Sequence, residues 1–238
     1  MADSKWRRRV FDAVGVTEFP PGPNLARIGR QKVYVTRPGF DNIGEILGSM
    51  DVEFEPFDGN FDCSLLFVNC GTPDRVDAAA LAEFVREGGC VYASDHADGL
   101  ITEAFPGVFE FGGHAGSTGT VQADVIDPEL RDILGSRIDV EFDTGAWTVL
   151  LGGRVETLLA SRKGSQFGNL PLMAYAEVGK GAVFYTCFHN KAQTSEREKR
   201  LLQLLVVKQF SAKSHQSFEQ AGRSLGLSMR EIKKSLRR

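Results

Sequence analysis

The stretch Cys90-Val91-Tyr92-Ala93-Ser94-Asp95-His96-Ala97-Asp98-Gly99-Leu100-Ile101 decides how the rest of the chain is read. Cys90 to Ser94 is a short, near-continuous apolar run, the pattern of a strand covered on both faces, and such strands lie mid-sheet in parallel arrangements. Asp95 to Gly99 interrupts it with polar and turn-forming residues. Leu100, Ile101, Ala104 and Phe105 then restore the apolar spacing of a helical turn. The segment reads as strand, sharp turn, short helix.

The same order repeats upstream. Lys32 to Thr36 is a β-rich run, Asp41 to Met50 carries Ile43, Ile46, Leu47 and Met50 at helical spacing, and Val52 to Phe57 alternates as a strand does. Ser64 to Asn69 is a second continuous apolar run. The helix after it is expected to start with Thr72 as N-cap and Pro73 at its first position, with Asp74 and Asp77 in the first turns and Gly88-Gly89 at its end. Ala80, Leu81, Phe84 and Val85 form its apolar stripe. Because consecutive parallel strands need long crossovers, this alternation predicts an α/β, flavodoxin-like three-layer sandwich with a mostly parallel sheet.

Downstream, residues 106 to 168 are glycine-rich and strand-like, with candidate strands at Thr120 to Ile126, Ile138 to Phe142, Trp147 to Leu151 and Val155 to Ser161. One short helix is expected at Pro128 to Leu134. Pro171 to Glu177, Gly179-Lys180-Gly181 and Ala182 to Phe188 read as an antiparallel hairpin at one end of the sheet. Ser195 to Phe210 is a helix. Two short helical patterns, Phe218-Ala221-Leu225 and Met229-Ile232-Leu236, make a small C-terminal tail. At the other end, Ser4 to Val14 has the spacing of an amphipathic helix and Phe19 to Asn24 is a proline-rich arm. The expected organisation is an arm over 1–30, the α/β domain over 31–212 and a basic helical tail over 213–238.

With 238 residues, 42% hydrophobic and 25% charged, the chain has the composition of a soluble globular protein that builds its own core. A whole protein rather than a fragment is expected. No apolar stretch approaches the roughly 20 residues of a membrane helix, and none follows the N-terminal arginines as a leader would require, so no membrane association and a cytoplasmic location are expected. Residues 31–212 hold 15 Lys and Arg against 26 Asp and Glu, a net charge of −11, whereas the tail carries seven basic residues against two acidic ones. The acidic body argues against nucleic acid. The tail could meet an unidentified acidic protein partner. Cys63, Cys70, Cys90 and Cys187 form no Cys-x-x-Cys pair and read as buried reduced thiols.

Ligands of open parallel sheets gather beyond the carboxyl ends of the central strands. Three loops lie there: Asn69-Cys70-Gly71-Thr72-Pro73, Ser94-Asp95-His96-Ala97-Asp98 and Phe188-His189-Asn190-Lys191. They supply Asp95 and His189 as candidate catalytic groups, and Gly71, Thr72, His96, Asp98 and Asn190 as candidate contacts for a small-molecule ligand. Gly71 lets backbone pass close to a bound group, and helix-start amides attract negative charge. No cofactor and no resident metal is called for. Four readings of the acidic turn remain open. Asp95 and His189 could form an ion pair that binds a ligand; Asp95 could be a nucleophile whose ester is cleaved by water activated by His189; Asp95, His96, Asp98 and His189 could hold a divalent ion; or the aspartates could cap the short helix while His189 fills a polar core site.

Val91 to Leu100 resembles the nucleophile-elbow segment of class I glutamine amidotransferase-like proteins, with Asp95 standing where that family has its cysteine. Gly179 to Lys191 is similar to the family's closing hairpin, which ends in phenylalanine, the catalytic histidine, proline and glutamate. His189 matches the histidine, while Asn190 and Lys191 replace the proline and the triad acid. Asn69 to Pro73 resembles the loop that supplies an oxyanion donor. Cys90 lies about five residues, roughly 16 Å, before the bend and cannot substitute for the missing thiol. The resemblance, nearest to ThuA-like degenerate branches, implies a catalytically degenerate protein that is not a glutaminase and acts as a ligand- or partner-binding accessory component. The alternative it leaves is a hydrolase using Asp95 and His189, with or without a metal.

Overall fold

The computed structural model describes residues 31–71, 75–163 and 167–236. The expected N-terminal helix and proline-rich arm lie outside the described residues, as does Thr72. In chain order the first half gives β1 (Val33–Val35), α1 (Ile43–Ser49), β2 (Glu55–Pro56), β3 (Leu65–Val68), α2 (Ala78–Arg86), β4 (Cys90–Ser94), a 3-10 turn (Asp95–Ala97) and α3 (Asp98–Ala104). The second half gives β5 (Phe109–Ala115), β6 (Gly119–Val125), α4 (Pro128–Leu134), β7 (Arg137–Phe142), β8 (Trp147–Gly153), β9 (Glu156–Ser161), β10 (Pro171–Val178), β11 (Gly181–Thr186), α5 (Glu196–Ser214), α6 (Phe218–Ser224) and α7 (Met229–Ser235).

Among the described residues nine strands form one sheet in the order β2-β1-β3-β4-β11-β10-β9-β6-β7. Pairing is parallel from β2 through β11, giving the flavodoxin-like α/β half. Past β11 the antiparallel part runs beyond the expected hairpin, through β10, β9, β6 and β7. Register decides what this does for a site. Val68 sits opposite Ala93, and Thr186 opposite Ser94, so the carboxyl ends of β3, β4 and β11 finish level. The three loops that follow are therefore neighbours in space.

Leu65–Val68 and Cys90–Ser94 are buried throughout, as their unbroken apolar runs predicted. The long helix α5 covers one face with Leu201, Leu202, Leu204, Leu205, Val206 and Val207, all at 0% exposure. Burying each such side chain stabilises the fold by about 1.5–3 kcal/mol. Its start is fixed by a capping box. The Ser195 amide donates to Glu198 Oε2 at 2.8 Å, and the Glu198 amide donates back to Ser195 Oγ at 3.3 Å.

Three expectations need correction. Helix α2 begins at Ala78 rather than beside Thr72 and Pro73, because the Asp77 side chain takes the Ala80 amide at 2.7 Å and is its N-cap. The strand expected over Val52 to Phe57 shrinks to Glu55–Pro56, since at the sheet edge only the backbone facing β1 finds a partner. The candidate strands of the glycine-rich segment omit one, since Phe109–Ala115 around His114 is also a strand. β5 pairs with β8 to form a separate two-stranded ribbon, with register shifts at its glycines that hid the alternation. The tail packs inward: Phe218, Ala221, Leu225, Leu227 and Ile232 are buried, and Lys233 bridges to Asp132 on α4 at 2.5 Å.

Candidate functional site

Asp95 is the first residue after β4, and its φ is +39°. A non-glycine residue in this region costs on the order of 1–3 kcal/mol and persists only when its surroundings impose it. Two neighbours do so. The Tyr185 hydroxyl, on β11, donates to the Asp95 carbonyl, and the Thr148 amide, on β8, donates to Asp95 Oδ1 at 2.7 Å. The bend is thus clamped from the adjacent strand and from the ribbon above it.

The other carboxylate oxygen, Oδ2, lies 3.1 Å from His189 Nε2 and 3.5 Å from His96 Nε2. Both Oδ2 and His189 Nε2 are buried, and among the described residues neither is in a hydrogen bond, so the 3.1 Å contact between them is an ion pair. The opposite ring nitrogen is well served. His189 Nδ1 lies 2.6 Å from Asp143 Oδ1, and because an ionised carboxylate only accepts, Nδ1 carries the proton and donates. Burial pulls the His189 pKa down, but the Asp95 carboxylate, with Cys70 and Asp41 adding to it, outweighs burial and pushes it up to about 10.

A third buried group completes the cluster. Cys70 follows β3, and its sulfur, an Asp95 oxygen and a His189 nitrogen all lie within 4.8 Å of one another. In the sequence Cys70 reads as a buried reduced thiol, and Cys90 lies too far from the bend to stand in for the family's cysteine. The level ends of β3, β4 and β11 were the signal that places Cys70 here instead. The carboxylate that meets the far side of the His189 ring is Asp143, from the turn between β7 and β8, which sequence reasoning missed because it lies in the glycine-rich segment where the family resemblance has no motif. Lys191, which holds the acid's place in the sequence, instead sits 4.0 Å from Asp143 Oδ2.

Beneath the cluster lies a wholly buried carboxylate, Asp41. Its Oδ1 accepts from the amides of Asn42 (2.8 Å), Asn190 (2.8 Å) and Lys191 (3.2 Å), and its Oδ2 from Ser94 Oγ (2.8 Å) and Asn190 Nδ2 (2.7 Å). Five donors make burial of the charge tolerable. The Asn190 side chain is engaged on both atoms, since its Oδ1 accepts from Tyr92 at 3.0 Å, so Asn190 positions the loop. Gly71, at φ +90°, lies where an added Cβ would come within 2.8 Å of the Phe40 ring, which fixes it as a turn residue. His96 and Asp98 stand at the rim. Asp98 Oδ1 lies 3.2 Å from His114 Nε2, and the His96 and His114 rings meet edge to face at 4.3 Å. Asp98 is thereby drawn toward His114, and the set Asp95, His96, Asp98 and His189 gives way to Cys70, Asp95 and His189 as the metal-compatible group among the described residues.

No protein-family model and no curated protein matches the sequence. Solved structures do. A putative ThuA-like protein from Bacteroides uniformis is similar with a TM-score of 0.55 at 10% identity, over 85% of this chain and 98% of that one. A putative GMP synthase subunit from Thermoplasma acidophilum gives 0.51 at 13%, over 86% and 98%. The fold is glutamine amidotransferase-like. The β-galactosidase of Rahnella sp. R3 also matches, with a TM-score of 0.51 at 15% identity over 75% of this chain, but this chain spans only 31% of that enzyme. Identities this low carry the fold alone. Among the described residues no helix is long and apolar enough to cross a membrane.

Proposed function

We propose that this chain is a non-glutaminase of the glutamine amidotransferase-like fold, which binds a ligand in the retained crevice and serves as an accessory component. The observation that carries this is the carboxylate of Asp95 at the positive-φ bend, one oxygen held by Thr148 and the other turned toward His189. Amide cleavage by this fold needs a thiolate at that bend with the histidine as its base. Cys70 lies instead in the neighbouring loop and is fully buried. A thiolate there would add a second negative charge beside Asp95. Arg230 and Lys234, exposed on α7, are where an acidic partner would be met, the apolar side of the tail being taken up by packing.

The test is ammonia release from glutamine by the full chain. None is expected. Release that is lost on Cys70→Ser would overturn the proposal by making Cys70 the nucleophile. A second reading is favoured by one contact, the Asp143–His189 hydrogen bond. In a hydrolase, Asp95 Oδ2 would attack a saturated carbon of the substrate and form an alkyl ester as the leaving group departs; with the Asp95 charge gone, His189 would give up its Nε2 proton and take one from water, which cleaves the ester to an alcohol and restores the Asp95 carboxylate. In that case Asp95→Asn and His189→Ala abolish turnover of a substrate with its leaving group on a saturated carbon; in the accessory reading they leave partner binding through the tail intact.

A further inference from the structure

Two buried atoms point to what the crevice holds. Asp95 Oδ2 and His189 Nε2 face each other as an ion pair but, among the described residues, have no hydrogen bond, and a buried polar atom without one costs about 1–3 kcal/mol unless something else satisfies it. Both face the same small volume as Cys70 Sγ. The outer atoms of these residues are already arranged for metal binding. Asp95 Oδ1 is occupied by the Thr148 amide, leaving Oδ2 as a single donor, and Asp143 holds one proton of His189 on Nδ1, so that Nε2 is the ligating nitrogen once the incoming ion displaces the proton it carries beside Asp95. A carboxylate behind a ligating imidazole is the usual support of a histidine bound to zinc.

From this geometry we infer that Cys70, Asp95 and His189 form a three-ligand site for a divalent transition ion of the zinc type. The inference rests on the non-glutaminase reading above and names its ligand. Thiolate, carboxylate and neutral imidazole are the donor set zinc takes, and the two negative charges cancel the ion's own, so the buried site becomes neutral. The donor atoms lie no more than 4.8 Å apart, against about 3.3–3.6 Å in a closed tetrahedral shell with ordinary bond lengths, so side-chain rotation suffices to close it. The fourth position is left to water or an exogenous donor, as in zinc sites that keep an open position. Asp143 is a positioning residue that makes no bond to the ion.

The experiment is titration of the metal-free full chain with Co2+, followed by Zn2+ competition. The expected result is one equivalent per chain with a thiolate-to-cobalt charge-transfer band, displaced by zinc. Cys70→Ser should lose the band. Asp143→Asn should keep it while binding about 10–100-fold more weakly, a split that a merely structural role would not produce. Failure of the wild-type chain to bind stoichiometrically at micromolar concentration overturns the site whether or not any variant folds, and so does a band that survives Cys70→Ser. A wild-type chain that neither binds metal nor releases ammonia sinks the metal site alone. Release of ammonia dependent on Cys70 sinks the reading beneath it.

Discussion

At the scale of single residues, the thiols divide by environment. Cys70 shares its volume with a histidine and a carboxylate, whereas burial pushes the thiols of Cys63 and Cys90 up to about 12, with the Asp62 carboxylate adding to it at the partly buried Cys63. Burial disfavours the charged form, so raising the pH to 8 leaves only about one molecule in ten thousand as thiolate at either position. Alkylation of the native chain at pH 8 should therefore spare Cys63 and Cys90 over a period that labels them fully in denaturant. Rapid native labelling at either would show their surroundings to be more open than described. Asp95 and His189 could be singled out from the sequence because each ends a recognisable buried strand. Cys70 occupies an equivalent place, but its type reads equally well as core. Asp143, Thr148 and Asp41 carry no local signal at all, because what defines them is the group they meet across 46, 53 and 149 residues of chain.

At the scale of elements, periodicity and capping found most of the fold. Cys90–Ser94 and Pro128–Leu134 lie where their patterns put them, the latter with Asp127 accepting from the Leu130 amide at 2.8 Å. The ribbon strand Phe109–Ala115 was missed because Gly112 and Gly113 break its alternation and its pairing with β8 slips in register. One tight junction can be tested directly. A Cβ on Gly181 would sit 2.0 Å from the carbonyl oxygen of Gly89 and 2.4 Å from that of Val85, both backbone atoms at the end of α2. Neither can swing aside as a side chain would. Gly181→Ala should therefore cost about 1–3 kcal/mol, read as a lower urea midpoint with an unchanged slope. A midpoint equal to wild type would mean that β11 and α2 are not in contact there.

At the scale of the whole molecule, the Asp41 carboxylate joins the loop after β1 to Ser94 at the end of β4 and to Asn190 and Lys191 after β11. Asp41→Asn keeps the shape but replaces an acceptor with a donor facing donors. Loss of charge-assisted hydrogen bonds at about 1.5–3 kcal/mol each predicts destabilisation of about 3 kcal/mol or more in chemical unfolding. A loss under about 1 kcal/mol would show that the carboxylate is not what ties the loops together. The same clasp governs when a chain emerging from the ribosome can first become competent. Residue 41 is made early and its partners 149 and 150 positions later, so until then a charged group destined for the interior must stay wetted by solvent. Competence is acquired only once residues 190 and 191 have been made, and a product cut just short of residue 190 would contain all the described strands while having no centre for them to serve.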